Sequence, residues 1–153
     1  MTDSRQEERL DYLLRKFKED SVRYRNLEVG DDYMEKRTAL RSLMNIRMPG
    51  SMAEDVVRVQ DEFLTVEAEE KGIIDLSGIP TAAEQYGSRH PFADKISIWQ
   101  GDITRLHVGA IVNAANCQML GCFVPCHGCI DNAIPHSITQ GFTWSSKIEC
   151  CCT

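Results

Sequence analysis

The feature that most constrains the fold of this chain is a strand–helix–strand pattern contained within about twenty residues. Residues 96–99 alternate in polarity and predict a strand entering the core, and residues 101–106 predict a turn into a short helix. Residues 110–113 form a brief apolar run, as expected of a buried parallel strand. Strands connected through a helix in this way run parallel, so the pattern predicts an α/β fold with a parallel or mixed sheet flanked by helices.

Residues 1–70 carry a helical pattern instead. Residues 4–20 and 31–47 place apolar side chains at helical spacing and predict two amphipathic helices, the second stopped by the Pro-Gly pair at 49–50. Residues 51–54 begin with Ser and end with Glu, a capping-box pattern that predicts the start of a third helix. We interpret this region as a packing layer without chemistry of its own.

Residues 72–94 are less regular. A short strand is possible at 72–74, and the Gly and Pro residues that follow predict a connection. The change of character after Pro91 places a domain boundary at about residue 92.

Charge is distributed unevenly along the chain. Residues 1–90 hold 14 of the 17 Lys and Arg residues and 19 of the 23 Asp and Glu residues, which predicts solvated helices followed by a buried α/β core. The net charge of −6 argues against sequence-independent nucleic-acid binding, which needs a basic surface. No apolar run approaches the roughly 20 residues that a membrane span requires, and the N-terminus lacks the apolar core of a secretory signal. We therefore expect a soluble, cytoplasmic protein that binds neither nucleic acid nor membrane.

Two polar clusters follow the two predicted strands, where ligands bind in open parallel sheets. Asp102 can accept hydrogen bonds from an amino group, and Asn116 offers the donor and acceptor groups that suit sugar hydroxyls. Each also has a purely structural alternative. Asp102 could cap the short helix, and Asn113 and Asn116 could close a turn.

All seven cysteines lie after residue 116, and a histidine stands among them. Cys122, His127 and Cys129 supply the sulfur and nitrogen donors that Zn²⁺ prefers, in a loop that contains Gly and Pro. Three protein ligands would leave one tetrahedral position open, as in catalytic zinc sites. Two alternatives remain: Cys126 could be a fourth ligand in a closed structural site, or the cysteines could be buried without a metal.

Residues 99–104 (Trp-Gln-Gly-Asp-Ile-Thr) and 108–116 (Val-Gly-Ala-Ile-Val-Asn-Ala-Ala-Asn) together resemble the opening of a macrodomain, a fold that binds ADP-ribose. In that family the aspartate of the first motif reads the adenine amino group, the next isoleucine assists through its backbone, and the asparagine-rich motif faces the distal ribose. The resemblance implies these roles for Asp102, Ile103 and Asn116, with Asn113 as a more structural member.

The Cys-x4-His-x-Cys spacing that follows resembles the zinc-dependent bacterial macrodomains, which hydrolyse ADP-ribose from protein side chains. Residues 31–70 resemble, more loosely, the helical extension that precedes these domains. The resemblance implies that Cys122, His127 and Cys129 bind Zn²⁺ beside the distal ribose and, with Asn116, form the catalytic group. It also implies that Ile130 and Asp131 contact the bound nucleotide. An ADP-ribose-binding module without catalysis and an inactive truncated fragment are the alternative functions.

The resemblance ends near residue 137 and divides the chain into three parts. Residues 1–92 would be the helical extension and connection, and residues 93–137 the first half of a macrodomain. Residues 138–153 have no helical or strand period, and their Cys-Cys-Cys run fits no zinc pattern, so we expect a divergent, non-native or disordered tail. A terminal metal-binding tail is the alternative. With few confident strands, the chain is expected to fold only in part.

The resemblance also implies partners. The substrate would be a mono-ADP-ribosylated protein, by resemblance a lipoyl-carrier protein. A sirtuin-type ADP-ribosyltransferase would attach the group that this protein removes, in a bacterial stress or redox pathway.

Overall fold

The computed structural model describes residues 4–48, 50–115 and 121–134 of the chain. The described residues divide into two compact units. The first contains the residues up to 67 and those from 113 onward, and the second contains residues 68–112. The α/β character predicted from the sequence is confirmed, with long helices toward the N-terminus and a small parallel sheet.

Three helices account for most of the regular structure: α1 (Ser4–Asp20), α2 (Tyr33–Ile46) and α3 (Glu54–Lys71). The first two are confirmed to within two residues of the predicted bounds. Asp32 caps α2, because its side chain accepts hydrogen bonds from two backbone N–H groups of the first turn. None of the helices in the described residues is long and apolar enough to cross a membrane.

The third predicted helix exists, but the predicted cap is wrong. The helix begins at Glu54, and the N–H groups of Val56 and Val57 donate to the carbonyl of Ala53, so Ala53 holds the capping position. Ser51 lies outside the helix, where its carbonyl accepts a hydrogen bond from Arg47 Nη2 at 2.9 Å. The guanidinium group thus holds Ser51 in the preceding connection.

The apolar stripes of the three helices form one hydrophobic core in the first unit. Its buried members recur at spacings of three, four or seven residues within each helix, as the helical period requires. The most deeply buried of them are Leu10, Leu13, Leu40, Phe63 and Leu64.

Polar contacts between helices add to this core. Arg37 of α2 makes a two-pronged ion pair with Glu67 of α3, and both side chains are only 14% exposed. Gln6 of α1 is fully buried and donates to the carbonyl of Phe63 at 2.8 Å. These contacts fix the relative positions of the helices, although Nη1 of Arg37 is buried without a hydrogen-bond partner among the described residues.

The second unit holds a minimal parallel sheet. Strand β1 (Ile74–Asp75) pairs with β2 (Leu106–His107) in the register Ile74 to Leu106 and Asp75 to His107. Arg105 Nε donates to the carbonyl of Gly72 at 2.7 Å, which ties the approach to β1 to the approach to β2.

The strands predicted at residues 96–99 and 110–113 are wrong. Residues 96–99 make only one isolated antiparallel bridge, from Ser97 to Thr81, and residues 110–113 belong to no strand. Ile98 is 62% exposed and Val112 is 90% exposed, so neither run has the covering layer that a buried parallel strand requires. The parallel pair instead forms between β1 and β2. Strand β1 overlaps the strand predicted at 72–74 and ends one residue later.

The connection predicted over residues 72–94 contains a helix, α4 (Ala82–Tyr86). Thr81 and Glu84 form a capping box at its start, and Gly87 ends it in the left-handed conformation. The short helix predicted at residues 101–106 is confirmed as one 3₁₀ turn, Ile103–Arg105.

Candidate metal centre and ligand-binding loops

The side chains of Cys122, His127 and Cys129 converge in the first unit. Their candidate ligand atoms all lie within 4.8 Å of one another, and Cys122 Sγ lies 3.6 Å from His127 Nδ1. Typical bond lengths of 2.3 Å to sulfur and 2.0–2.1 Å to nitrogen would separate two such ligands of a tetrahedral zinc ion by about 3.6 Å. The residues present therefore fit a metal ion of this class, and the group can hold one.

Local backbone geometry brings these side chains together. Gly121 has a φ of +85°, a conformation that favours glycine, and it turns the chain into the loop. The N–H of His127 donates to the carbonyl of Val124 at 3.2 Å, which closes a turn and returns the imidazole toward Cys122. Cys129 then precedes α5 (Ile130–Ala133), whose first turn bonds to its carbonyl.

Cys126 lies in the same loop but is directed away from the group. Its Sγ is 3.3 Å from Ser42 Oγ and 3.8 Å from the carbonyl oxygen of Thr38, both on α2. This placement does not favour Cys126 as a fourth ligand. Cys122 and Cys129 are half-buried and Cys126 is exposed, so the alternative of a buried, metal-free cysteine cluster is not supported either.

The sequence interpretation missed Asn132 and a polar stripe on α2. Asn132 is fully buried, and its side chain contacts the carbonyls of Cys122 and Val124 as well as Arg41 of α2. The stripe lies at helical spacing beside the apolar face, a signal that was present in the sequence. Its members are Thr38, Arg41, Ser42 and Asn45. Helix α2 thus packs against the Cys/His loop as well as in the helical core, and the interpretation of the helical region as a layer without chemistry of its own stays a prediction.

The residues expected to face the nucleotide lie on both sides of this loop in the sequence. Asp131 is buried and accepts a hydrogen bond from Asn113 Nδ2 at 2.9 Å, while Ile130 beside it is half-buried. The Oδ1 atom of Asn113 is also buried and has no partner among the described residues. Asn116, expected to contact the distal ribose, lies outside the described residues.

Asp102 and Ile103 belong to the second unit. Asp102 caps the 3₁₀ turn, since its Oδ1 accepts from Thr104 Oγ1 at 2.7 Å and from the Thr104 N–H at 3.0 Å. The side-chain hydrogen bond from Thr104 is the main cause that lowers the pKa of Asp102 below its usual value. A Cβ at Gly101 would clash with the ring of Trp99 in its present position, so the packing of this ring over the turn depends on glycine.

Comparison with known proteins identifies relatives of one kind. The chain is 40% identical over 126 residues to a protein-ADP-ribose hydrolase of Treponema medium, covering 82% of this chain and 44% of the relative. It is 32% identical over 126 residues to a protein-ADP-ribose hydrolase of Staphylococcus aureus (strain Mu50 / ATCC 700699), with the same coverage. It is also 39% identical over 102 residues to a probable bifunctional ADP-ribose hydrolase/ADP-ribosyltransferase of Fusarium oxysporum f. sp. cubense, covering 65% of this chain and 17% of the relative. No family model matches the chain.

These relatives confirm the resemblance to the protein-ADP-ribose hydrolases, while the dependence on zinc stays a prediction. The chain spans less than half the length, 44%, of the hydrolases from Treponema and Staphylococcus that it matches.

Proposed function

We propose that this chain, a homologue of the protein-ADP-ribose hydrolases over 126 residues, acts in the zinc-dependent removal of ADP-ribose from modified protein side chains. The observation that carries the proposal is the convergence of the ligand atoms of Cys122, His127 and Cys129 within 4.8 Å, with Cys122 and His127 at the separation of two ligands of one tetrahedral zinc ion. Metal ligation within a chain related to hydrolases favours catalysis over recognition alone, because recognition does not require a metal with an open position.

Zinc is the metal that this donor set favours, since two thiolates and one imidazole are the ligands it prefers. When bound, a zinc ion with three protein ligands can polarise a sugar hydroxyl or lower the pKa of a water. The direction of Cys126 toward α2 supports three protein ligands rather than four.

The protein's own residues would bind and orient the nucleotide. Asp102 would accept from the adenine amino group, and the hydrogen bond from Thr104 that lowers its pKa favours the ionised, acceptor-only form of the carboxyl. Ile103 would assist through its backbone, and Asn116 would orient the distal ribose. Asp131, which Asn113 orients, would lie with Ile130 against the nucleotide beside the metal.

The partners follow from the same relationship. The substrate would be a mono-ADP-ribosylated protein in the cytoplasm, a lipoyl-carrier protein by resemblance. The Fusarium relative is named for both hydrolase and ADP-ribosyltransferase activities, which supports a transferase, of the sirtuin type by resemblance, as the functional partner.

The first experiment measures zinc content and ADP-ribose binding on one sample of the chain. We expect one zinc per chain by elemental analysis and saturable binding by calorimetry. Asp102→Ala should weaken binding about 10- to 100-fold, the loss expected for one charge-assisted hydrogen bond. Asp75→Ala, which removes an exposed carboxylate elsewhere in the same unit, is the matched control and should bind normally.

The outcomes separate the possible functions. Release of ADP-ribose from a modified protein by the zinc-loaded chain would support the hydrolase. Binding without release would support the ADP-ribose-binding module, and zinc without binding would support an inactive fragment. Folded protein that holds neither zinc nor ADP-ribose would refute the zinc site itself.

A further inference from the structure

The Cys/His/Cys group lies in a loop whose shape depends on hydrogen bonds from outside it. Asn132 Nδ2 donates to the carbonyl of Val124 at 3.0 Å and to that of Cys122 at 3.4 Å. The first carbonyl also closes the turn that presents His127, and the second belongs to a candidate ligand. One buried amide therefore fixes the backbone at two points of the loop.

Arg41 of α2 sets the orientation of this amide. Asn132 Oδ1 accepts a hydrogen bond from Arg41 Nη2 at 3.0 Å, and a guanidinium group can only donate. The oxygen must therefore face Arg41, which leaves the Nδ2 hydrogens directed at the two loop carbonyls. Because Asn132 is fully buried, both ends of its amide depend on these partners within the protein.

Asn45 of α2 holds the opposite side of the loop. Its Oδ1 accepts a hydrogen bond from the N–H of Cys126 at 2.9 Å, and its side chain is almost completely buried. Cys126 has a φ of 53°, which L-residues rarely adopt and which a surrounding contact must maintain. His127 is the next residue, so the contact between Asn45 and Cys126 fixes the backbone from which the imidazole side chain extends.

We propose that Asn132, oriented by Arg41, and Asn45 are positioning residues that pre-form the Cys122/His127/Cys129 site. In this arrangement α2 sets the metal affinity of a loop about 80 to 90 residues later in the chain. The inference rests on the metal site of the proposed function and deepens it by naming what holds the ligands. The hydrogen bonds of Asn132 and Asn45 reach backbone groups of the loop, so these residues act through the loop backbone.

The test measures zinc affinity by competition with a chromophoric chelator for wild type, Asn132→Asp and Asn45→Ala. Asn132→Asp keeps the acceptor for Arg41 but removes the donors to the two carbonyls. Each variant should lose about 10- to 100-fold in affinity, the range typical of residues that orient metal ligands. With cobalt in place of zinc, their absorption spectra should also depart from the tetrahedral spectrum of the wild type.

Gln6→Leu is the matched control, because Gln6 is an equally buried amide that bonds a backbone carbonyl within the helical core. It should lower stability and leave zinc affinity unchanged. Wild-type affinity in Asn132→Asp and Asn45→Ala would overturn the proposal. A loss of affinity that tracks a loss of helical circular dichroism would also overturn it, since the residues would then be structural. If the wild-type chain binds no zinc, the metal site of the proposed function fails and this inference fails with it.

Discussion

The placement of two cysteines four residues apart leads to opposite expectations for the same substitution. Cys122 Sγ lies 3.6 Å from His127 Nδ1 in the candidate metal group, whereas Cys126 Sγ lies against Ser42 and Thr38 of α2. Cys122→Ser and Cys126→Ser remove the same atom from the same loop. We expect the first to weaken zinc binding strongly and the second to leave it nearly unchanged.

The magnitude follows from the energetics of zinc sites. Structural zinc in four-ligand peptides binds with about 10–16 kcal/mol, so one ligand contributes about 2.5–4 kcal/mol. That share corresponds to a loss of about 10²- to 10³-fold in affinity for Cys122→Ser. Serine at position 126 can still hydrogen-bond Ser42 and the Thr38 carbonyl, so we expect its effect to stay below about threefold, or 0.7 kcal/mol.

The assay is competition for zinc against a chelator of known affinity. It is run at one fixed pH because thiolate and imidazole ligands bind metal in competition with protons. An equal loss in both variants would show that Cys126 also binds the metal, and the open coordination position would then be refuted. Wild-type affinity in Cys122→Ser would refute the whole Cys122/His127/Cys129 assignment.

Three further predictions test the parts of the structure around the site. Thr104→Val should raise the pKa of Asp102 toward its usual value, while Thr104→Ser should not; carbon NMR titration of the carboxyl group measures this. Because the pKa of Asp102 is lowered in the folded state, the stability that this carboxylate contributes is present above its unfolded pKa and is lost as pH falls through its folded pKa. An unchanged pKa of Asp102 in Thr104→Val would contradict the assigned cause. Asp32→Ala should destabilise the helical unit by about 1 kcal/mol in urea titrations followed by circular dichroism, whereas Asp31→Ala should not, since the cap of α2 is Asp32. The amides of β1 and β2 should exchange with deuterium faster than those of α1–α3, because each strand has only two residues; equal protection would refute this.

Sequence reasoning succeeded for the long helices because a helix is determined by neighbours along the chain. The apolar stripes of α1 and α2 each lie within the segment that they organise. The same reasoning located α3 but not its first residue, since Ser51 satisfied the capping pattern while its backbone was held by Arg47 instead. The capping box of α4 at Thr81 was equally local and could have been recognised.

The strand predictions were wrong because a strand forms only with a pairing partner, and the local sequence pattern does not identify that partner. The alternation at residues 96–99 is genuine, yet Ile98 is exposed and only Ser97 makes a bridge. The pairing that does form, between β1 and β2, joins segments about 30 residues apart, and Arg105 and Gly72 assist it through one hydrogen bond. Nothing in the two-residue strands themselves distinguishes them from the connections around them.

The candidate site likewise has a part that could be predicted from local sequence and a part that depends on distant residues. The metal-binding set of Cys122, His127 and Cys129 could be proposed from the sequence because donor type and loop spacing are local properties, and these donor atoms do lie together. The support from Asn132 and α2 could not be proposed in this way, because its hydrogen bonds join residues that the sequence separates widely. A local motif can therefore name the atoms able to bind a metal, while the distant part of the chain determines how well they are held. The proposed positioning role therefore predicts that substitutions at residues 41 and 45 of α2, as well as at Asn132, change metal affinity without changing any ligand.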